Sequence, residues 1–120
     1  MDSYNGMNRG APSRSLSPES LFRLSEGISL VLSRWAALQV AIRNEWGGED
    51  SRRKYDEFAS TLLSLFSESN VLLSIDDLES ALEEKMVLTF NTMVDDGSVE
   101  EIAEQLMLIA EECIQQNYEV

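Results

Sequence analysis

The sequence predicts an all-α domain, a compact bundle of about four helices with a long first helix. Apolar residues recur at spacings of three and four along most of the chain, which places them on one face of a helix. No segment alternates apolar and polar residues as a half-buried strand would, and helix start signals follow short connections. We therefore expect a flexible N-terminal arm over residues 1–16 and a single helical domain over 17–118, in which the first helix is the spine.

The first helix is predicted to start at Ser17, an N-cap residue, with Pro18 at the first helical position. Ser17 before Pro18 also fits a proline-directed phosphorylation site, an alternative that stays open. Gly47 and Gly48 end the helix, because glycine readily adopts the left-handed conformation that closes one. The apolar stripe between these signals, with both tryptophans of the chain, is expected in the core. It consists of Leu21, Leu24, Ile28, Val31, Trp35, Leu38, Ile42 and Trp46.

The second helix is predicted to start with Ser51 as its cap and to end near 69–70. Its inner side carries Tyr55, Phe58, Leu62, Leu65 and Phe66. A third helix follows Ser74, since a cap residue before Asp76 and Asp77 matches the preference of a helix N-terminus for negative charge. Its buried face is predicted to contain Ile75, Leu78, Leu82, Met86 and Met93.

The fourth helix follows a turn at Asp95, Asp96 and Gly97, residue types that favour turn geometry. Ser98 and Glu101 are predicted to form a capping box, in which each side chain accepts from a backbone N–H of the first turn. The apolar stripe beyond them reaches about residue 116 and contains Ile102, Leu106, Ile109 and Cys113. The turn does not fit a calcium loop, because only one of the expected oxygen ligands falls at the required position.

The composition argues against catalysis and against a metal site. The chain has 120 residues, no histidine and one cysteine, Cys113, which lies on an apolar stripe and is expected to be structural. The pairs Glu79/Glu83 and Glu100/Glu104 have helical spacing, but no base or nucleophile organises them, so we interpret them as solvated faces. No apolar run is long enough to cross a membrane. We expect neither an enzyme nor a cofactor, and a reducing compartment.

The negative charge is concentrated in the second half of the chain. The formal net charge is −13; residues 1–54 hold six acidic and eight basic side chains, whereas 55–120 hold sixteen acidic ones and Lys85. Such acidity disfavours nucleic acid, whose phosphates are bound by Lys and Arg, and favours a basic partner. The basic cluster at 52–54 is a weak nucleic-acid signal. The alternative is that the carboxylates only solvate the outer faces of helices.

We expect the partner-binding surface on the third and fourth helices. On the fourth, acidic residues share one arc with Leu108, which is either an isolated surface residue or the apolar anchor of a site with an acidic rim. The candidate residues are Asp76, Asp77, Glu79, Glu83, Glu84, Asp95, Asp96, Glu100, Glu101, Glu104, Leu108, Glu111 and Glu112. Gln39, on the inner arc of the first helix, is either a buried amide bonded to nearby backbone or a binding residue.

Two segments carry a more specific pattern than helical periodicity. The first is Trp35-x-x-Leu38-Gln39-x-Ala41-x-x-x-x-Trp46-Gly47-Gly48. The second covers 90–98 and ends in Asp95-Asp96-Gly97-Ser98, with Glu112-Cys113 further on. In this order the two signatures resemble the pre-rRNA-processing protein family named for 20S rRNA accumulation, also called escortins, over residues 20–118.

The resemblance implies a non-enzymatic nuclear chaperone of small-subunit assembly. Such a protein takes a very basic, newly imported small-subunit ribosomal protein, of the S-twenty-six type, from its import receptor and delivers it to pre-ribosomes, which supports rRNA processing. It implies no direct nucleic acid or membrane partner, and leaves nucleolar residence and shuttling with the cytoplasm open. Family members commonly carry an acidic tail after the helical domain, so a chain ending at Val120 is expected to be a short or truncated form. A general acidic helical adaptor that docks a partner helix in an apolar groove is the alternative.

Overall fold

The computed structural model describes residues 16–68 and 74–119, which form five helices. These are α1 (Pro18–Ser33), α2 (Ala36–Arg43), α3 (Ser51–Glu68), α4 (Ile75–Phe90) and α5 (Ser98–Glu119). The all-α prediction is confirmed, and the described ranges contain no strand; the helix count is five rather than about four. Leu16, assigned to the arm, is buried in the core. Residues 1–15 of that arm and the predicted helix end at 69–70 lie outside the described residues.

The predicted long first helix is divided in two at Arg34 and Trp35. Their backbone N–H groups donate to carbonyls only three residues back, those of Val31 and Leu32, at 3.1 Å each. Trp35 has extended backbone, with φ −82° and ψ 101°. Its indole is buried and donates to the hydroxyl of Ser98 at 2.9 Å. This bond satisfies the indole N–H, which would otherwise be a buried donor without an acceptor. The core position of Trp35 is confirmed, whereas the continuous helix is wrong.

The second tryptophan, Trp46, lies outside the helices and is 47% exposed, so its predicted core position is wrong. α2 ends before the two glycines, and Glu45 adopts a positive φ of 55°. The N–H of Trp46 then donates to the carbonyl of Ala41 at 2.9 Å. Because the chain has already left the helix, position 46 no longer shares a face with the stripe.

Ser51 starts α3 but does not cap it as predicted. The side chain is buried and its hydroxyl donates to the carbonyl of Gly48 at 2.8 Å, instead of accepting from a helical N–H. The adjoining basic cluster closes the same connection. Arg53 pairs with Asp50 and Glu57, while Lys54 donates to the carbonyl of Gly47. These contacts give two of the cluster's three cations a structural role.

The start of α4 is as predicted, and its end comes earlier than predicted. The hydroxyl of Ser74 accepts from the N–H of Asp77 at 3.0 Å. Asn91 caps the other end in the left-handed conformation, with φ 54°. Met93 therefore lies beyond the helix and is 80% exposed, and Ile75 in the first turn is 39% exposed. The prediction that these two residues belong to the buried face is wrong.

α5 begins after the predicted turn, which Gly97 confirms with φ 84°. The carboxylate of Asp96 accepts from the backbone N–H of Ser98 at 3.0 Å, while the Ser98 hydroxyl accepts from the Trp35 indole. Within residues 74–119, the Ser98 hydroxyl does not accept from the N–H of Glu101, and the Glu101 carboxylate does not accept from the N–H of Ser98. The predicted capping box is wrong because Asp96, rather than Glu101, accepts from the Ser98 N–H, while the Ser98 hydroxyl bonds the Trp35 indole instead of a helical N–H.

All five helices contribute to one core, and α1 is its spine because it packs along both α5 and α3. Gly27 allows α1 and α5 to approach closely, since a Cβ there would lie 2.6 Å from Cγ2 of Ile109. The rings of Trp35, Phe58 and Phe90 follow one another with centroid separations of 6.5 and 6.2 Å. No helix in the described part of the chain has the length and apolar character needed to cross a membrane.

Candidate partner-binding surface

The predicted carboxylates lie on the outer sides of α4 and α5 and in the turn between them. All of them are exposed except Glu79, which is half-buried. This set is called the acidic surface below, and it comprises Asp76, Asp77, Glu79, Glu83, Glu84, Asp95, Asp96, Glu100, Glu101, Glu104, Glu111 and Glu112. Because α4 packs on α5, the two helices present these side chains from neighbouring elements.

Glu79 shows that the two acidic helices share one electrostatic environment. Its carboxyl pKa is raised, first by burial and then by the negative charges of Glu100, Asp76 and Glu83. Glu100 belongs to α5 and the other three belong to α4. The first three turns of α4 and the first turn of α5 therefore bring like charges close enough to oppose ionisation of Glu79.

The acidic surface has no internal neutralisation. Across residues 16–68 and 74–119, none of its carboxylates forms an ion pair with a basic side chain, and the ion pairs involve Glu19, Asp50 and Glu57 instead. Lys85 is the single base after residue 54. The negative field of α4 and α5 thus faces solvent and attracts cations.

Asp96 also has a structural task. Hydrogen bonds from Ser98 lower the pKa of its carboxyl group, because they favour the ionised form. Asp95 beside it is exposed. We assign Asp96 to the turn that starts α5, and Asp95 stays a predicted contact residue.

Leu108 is 62% exposed, as its place in the acidic arc predicts. Three of its four neighbours one turn away on α5 are carboxylates, Glu104, Glu111 and Glu112, and the fourth is Gln105; all four are exposed. An apolar side chain surrounded by carboxylates suits a partner that combines apolar and cationic groups.

The first signature is mainly structural. Trp35, Leu38 and Ala41 are buried in the core. The side-chain amide of Gln39 donates to the carbonyl of Leu32 at 3.0 Å, and the residue is half-buried. The backbone-bonded interpretation of Gln39 is therefore confirmed: its amide supports the bend between α1 and α2.

The two signatures meet at Gly47. A Cβ at this buried position would lie 2.8 Å from the carbonyl oxygen of Thr89 and 3.2 Å from the ring of Phe90. Only glycine allows the connection before α3 to approach the last turn of α4 so closely. Gly48 has the positive φ of 97° that this connection also requires.

The sequence did not predict a groove that lies at this junction. It is open to solvent and is lined by Trp46, Asn91, Thr92 and Met93. Its two apolar residues, Trp46 and Met93, were predicted to lie on the apolar faces of helices, but both helices end before these residues. The signal that would have found it is the Asn91 left-handed cap followed by an apolar residue, together with the Gly-Gly pair after Trp46.

Cys113 is buried, and burial, followed by the charge of Glu112, raises the pKa of its thiol. A raised pKa keeps the thiol protonated and poorly nucleophilic, as expected of a structural cysteine. Among the described residues, no group of three or more potential metal-ligating side chains converges.

Comparisons with known proteins agree with the two signatures. The family model WGG, described as "Pre-rRNA-processing protein TSR2", matches residues 24–104, and its name corresponds to Trp46-Gly47-Gly48. The chain is 35% identical over 96 residues to the pre-rRNA-processing protein TSR2 of Saccharomyces cerevisiae, covering 80% of this chain and 46% of that protein. It is 35% identical over 91 residues to the TSR2 homolog of Danio rerio, covering 76% and 50%.

The fold agrees as well. The NMR solution structure of yeast TSR2(1-152) superposes with a TM-score of 0.74 at 32% identity, covering 95% of this chain and 73% of that chain. The chain spans about half the length of the curated relatives it matches. Because the family model matches residues 24–104 and the fold is shared, the chain belongs to the TSR2 family of pre-rRNA-processing proteins.

Proposed function

We propose that this chain is a non-enzymatic nuclear chaperone that binds a basic small-subunit ribosomal protein of the S-twenty-six type. It takes this client from its import receptor and delivers it to pre-ribosomes. Family membership supports the link to pre-rRNA processing. The observation that carries the chemistry is the acidic surface of α4 and α5, which is exposed and without ion pairs in the described ranges.

The acidic surface takes the place of the rRNA phosphates that a ribosomal protein later contacts. A newly imported protein rich in Lys and Arg binds RNA indiscriminately, because phosphate contacts carry no sequence information. Carboxylates spaced along two adjoining helices neutralise those cations. Complementary charge also accelerates the encounter and selects the partner.

Release requires no nucleotide or metal in this scheme. Double-stranded RNA and DNA carry phosphates more densely than a helix surface carries carboxylates, with about one charge per 1.7 Å of duplex axis for DNA. An α-helix rises about 5.4 Å per turn and presents one or two exposed side chains on a given face. Pre-ribosomal RNA therefore displaces the acidic surface by exchange.

The test is a charge reversal on α5 with a matched control. Glu100→Lys, Glu104→Lys and Glu111→Lys together should weaken binding of the purified ribosomal protein and flatten the dependence of log Kd on log salt. The control reverses Glu26, Glu49 and Asp56, which are exposed, lie outside the acidic surface and change the net charge equally. We expect the control to bind far more tightly than the α5 variant.

Equal weakening by both triple variants would show that net charge, rather than this surface, determines binding. Native affinity of the α5 variant at low salt would place the site elsewhere.

The second candidate is an acidic helical adaptor that docks a partner helix in an apolar groove. Two exposed apolar side chains at one groove, Trp46 and Met93, favour it. An adaptor of this kind binds with little salt dependence and tolerates the α5 charge reversal, so the same measurement separates the two functions.

A further inference from the structure

The groove between the two signatures, called the Trp46 groove, has the character of a contact site. It is lined by Trp46, Asn91, Thr92 and Met93. Trp46 is 47% exposed and Met93 is 80% exposed. Tryptophan is enriched among the residues that contribute most to protein interfaces, and the flexible methionine side chain adapts to varied apolar surfaces.

The backbone on both sides of the groove adopts an uncommon conformation. Glu45 and Asn91, with φ values of 55° and 54°, are the two non-glycine residues with positive φ in the described ranges. Each directly precedes a residue that lines the groove. Asparagine tolerates this conformation, but glutamate rarely adopts it, and such residues cluster at ligand-binding segments.

The surrounding contacts hold the groove in place before any partner arrives. The backbone of Gly47 lies against the carbonyl of Thr89, and Lys54 donates to the carbonyl of Gly47. On the other side, the N–H of Thr92 donates to the carbonyl of Met86 at 2.9 Å, which closes the end of α4. A groove fixed in this way costs little conformational entropy on binding.

The charges next to the groove indicate what it binds. Glu45 precedes Trp46, and Asp95 follows Met93 by two residues; both carboxylates are exposed and neither forms an ion pair in the described ranges. An occupant can place an apolar side chain against Trp46 and Met93 and pair its cationic groups with these two carboxylates. The nearby Lys54 does not compete for them, because it pairs with Asp50. A basic protein supplies both in one segment.

We propose that the Trp46 groove binds an apolar side chain of the basic ribosomal protein, next to its Lys or Arg residues, as a second contact beside the acidic surface. This inference rests on the proposed function. The acidic surface attracts the client over several ångströms, whereas the groove acts only on contact. The two sites therefore differ in salt dependence.

The test measures binding of the purified S-twenty-six-type ribosomal protein to the 120-residue chain at low and at physiological salt. Met93→Ser changes the more exposed side of the groove, outside any helix, so the fold is retained. We expect about tenfold weaker binding at both salt concentrations, with the slope of log Kd against log salt unchanged. The control Phe22→Ser alters a side chain that is 63% exposed on α1, and it should bind as the native chain does.

Tryptophan fluorescence supplies an independent readout. Trp35 is 1% exposed and Trp46 is 47% exposed, so acrylamide quenching reports mainly on Trp46 in the free chain. Binding of the client should reduce this quenching in the native chain. Trp46→Phe should remove most of the change.

The outcomes separate the two proposals. If the native chain does not bind the ribosomal protein, the proposed function is wrong. If it binds and the α5 charge reversal weakens binding, but Met93→Ser binds normally and quenching is unchanged, only the groove proposal is wrong. Self-association of the native chain that Met93→Ser abolishes would overturn the choice of occupant, because the groove would then hold a second copy.

Discussion

Ser98→Ala tests whether the hydrogen bond between the two signatures, from Trp35 to Ser98, stabilises the fold. The indole N–H of Trp35, which is 1% exposed, donates to the Ser98 hydroxyl at 2.9 Å. Removing the hydroxyl leaves this buried donor without its acceptor, which costs about 1–3 kcal/mol. Ser98 is half-buried, so water partly replaces the hydroxyl, and we expect a loss of about 1–2 kcal/mol.

The assay is equilibrium unfolding in urea, supported by thermal melting. For a domain of this size, about 1 kcal/mol corresponds to a shift in Tm of about 4–8 °C. Ser60→Ala is the matched control, since Ser60 is exposed in α3, and we expect it to change the free energy of unfolding by less than about 0.5 kcal/mol.

A double-mutant cycle isolates the hydrogen bond from other effects of the substitution. In the Trp35→Phe background no indole N–H remains, so Ser98→Ala should cost about 1 kcal/mol less there than in the native chain. A capping box would make Glu101→Ala destabilising as well. Because the box is absent, we expect Glu101→Ala to leave the free energy of unfolding nearly unchanged. If Ser98→Ala is neutral, or if its cost is the same in both backgrounds, the indole bond does not stabilise the fold.

Three further predictions concern the stability of the chain and its pH dependence, at Gly47, Asp96 and Glu79. Gly47→Ala should destabilise the chain by about 1–3 kcal/mol in urea unfolding, because the new Cβ would lie 2.8 Å from the Thr89 carbonyl oxygen; an unchanged midpoint would contradict this. Asp96 has a lowered pKa, so its stabilisation is present above the ordinary carboxyl pKa of about 4 and disappears as the pH falls toward its folded value. Asp96→Asn should therefore weaken the acid dependence of Tm, and identical pH profiles would refute that assignment. Glu79 has a raised pKa, so its ionisation opposes folding above that pKa; Glu79→Gln should raise Tm at pH 7, with the gain vanishing as the pH falls below about 4.

Local chemistry was enough to predict the caps of α1 and α4 and the exposed carboxylates. Ser17 accepts from the N–H of Ser20 at 3.1 Å, and Ser74 caps α4 as predicted, because capping needs only neighbouring residues. The exposure of Leu108 follows from its angular position on α5 in the same way.

The errors arose where distant residues decide the structure. The spacing of the apolar stripe is the same on both sides of Trp35, so periodicity does not reveal the bend that lets its indole reach Ser98, 63 residues away. Trp46 and Met93 keep helical spacing after their helices have ended. The groove they share depends on the contact between Gly47 and the end of α4, which no local pattern contains.

Competition for RNA tests whether the acidic surface takes the place of RNA phosphates for a basic client. A fluorescently labelled RNA of unrelated sequence is bound by the purified S-twenty-six-type ribosomal protein, and the chain is then added while anisotropy is recorded. We expect the native chain to release the RNA in proportion to the client it binds, and the Glu100, Glu104 and Glu111 reversal to release much less. RNA that stays bound while the native chain joins the complex would contradict this expectation.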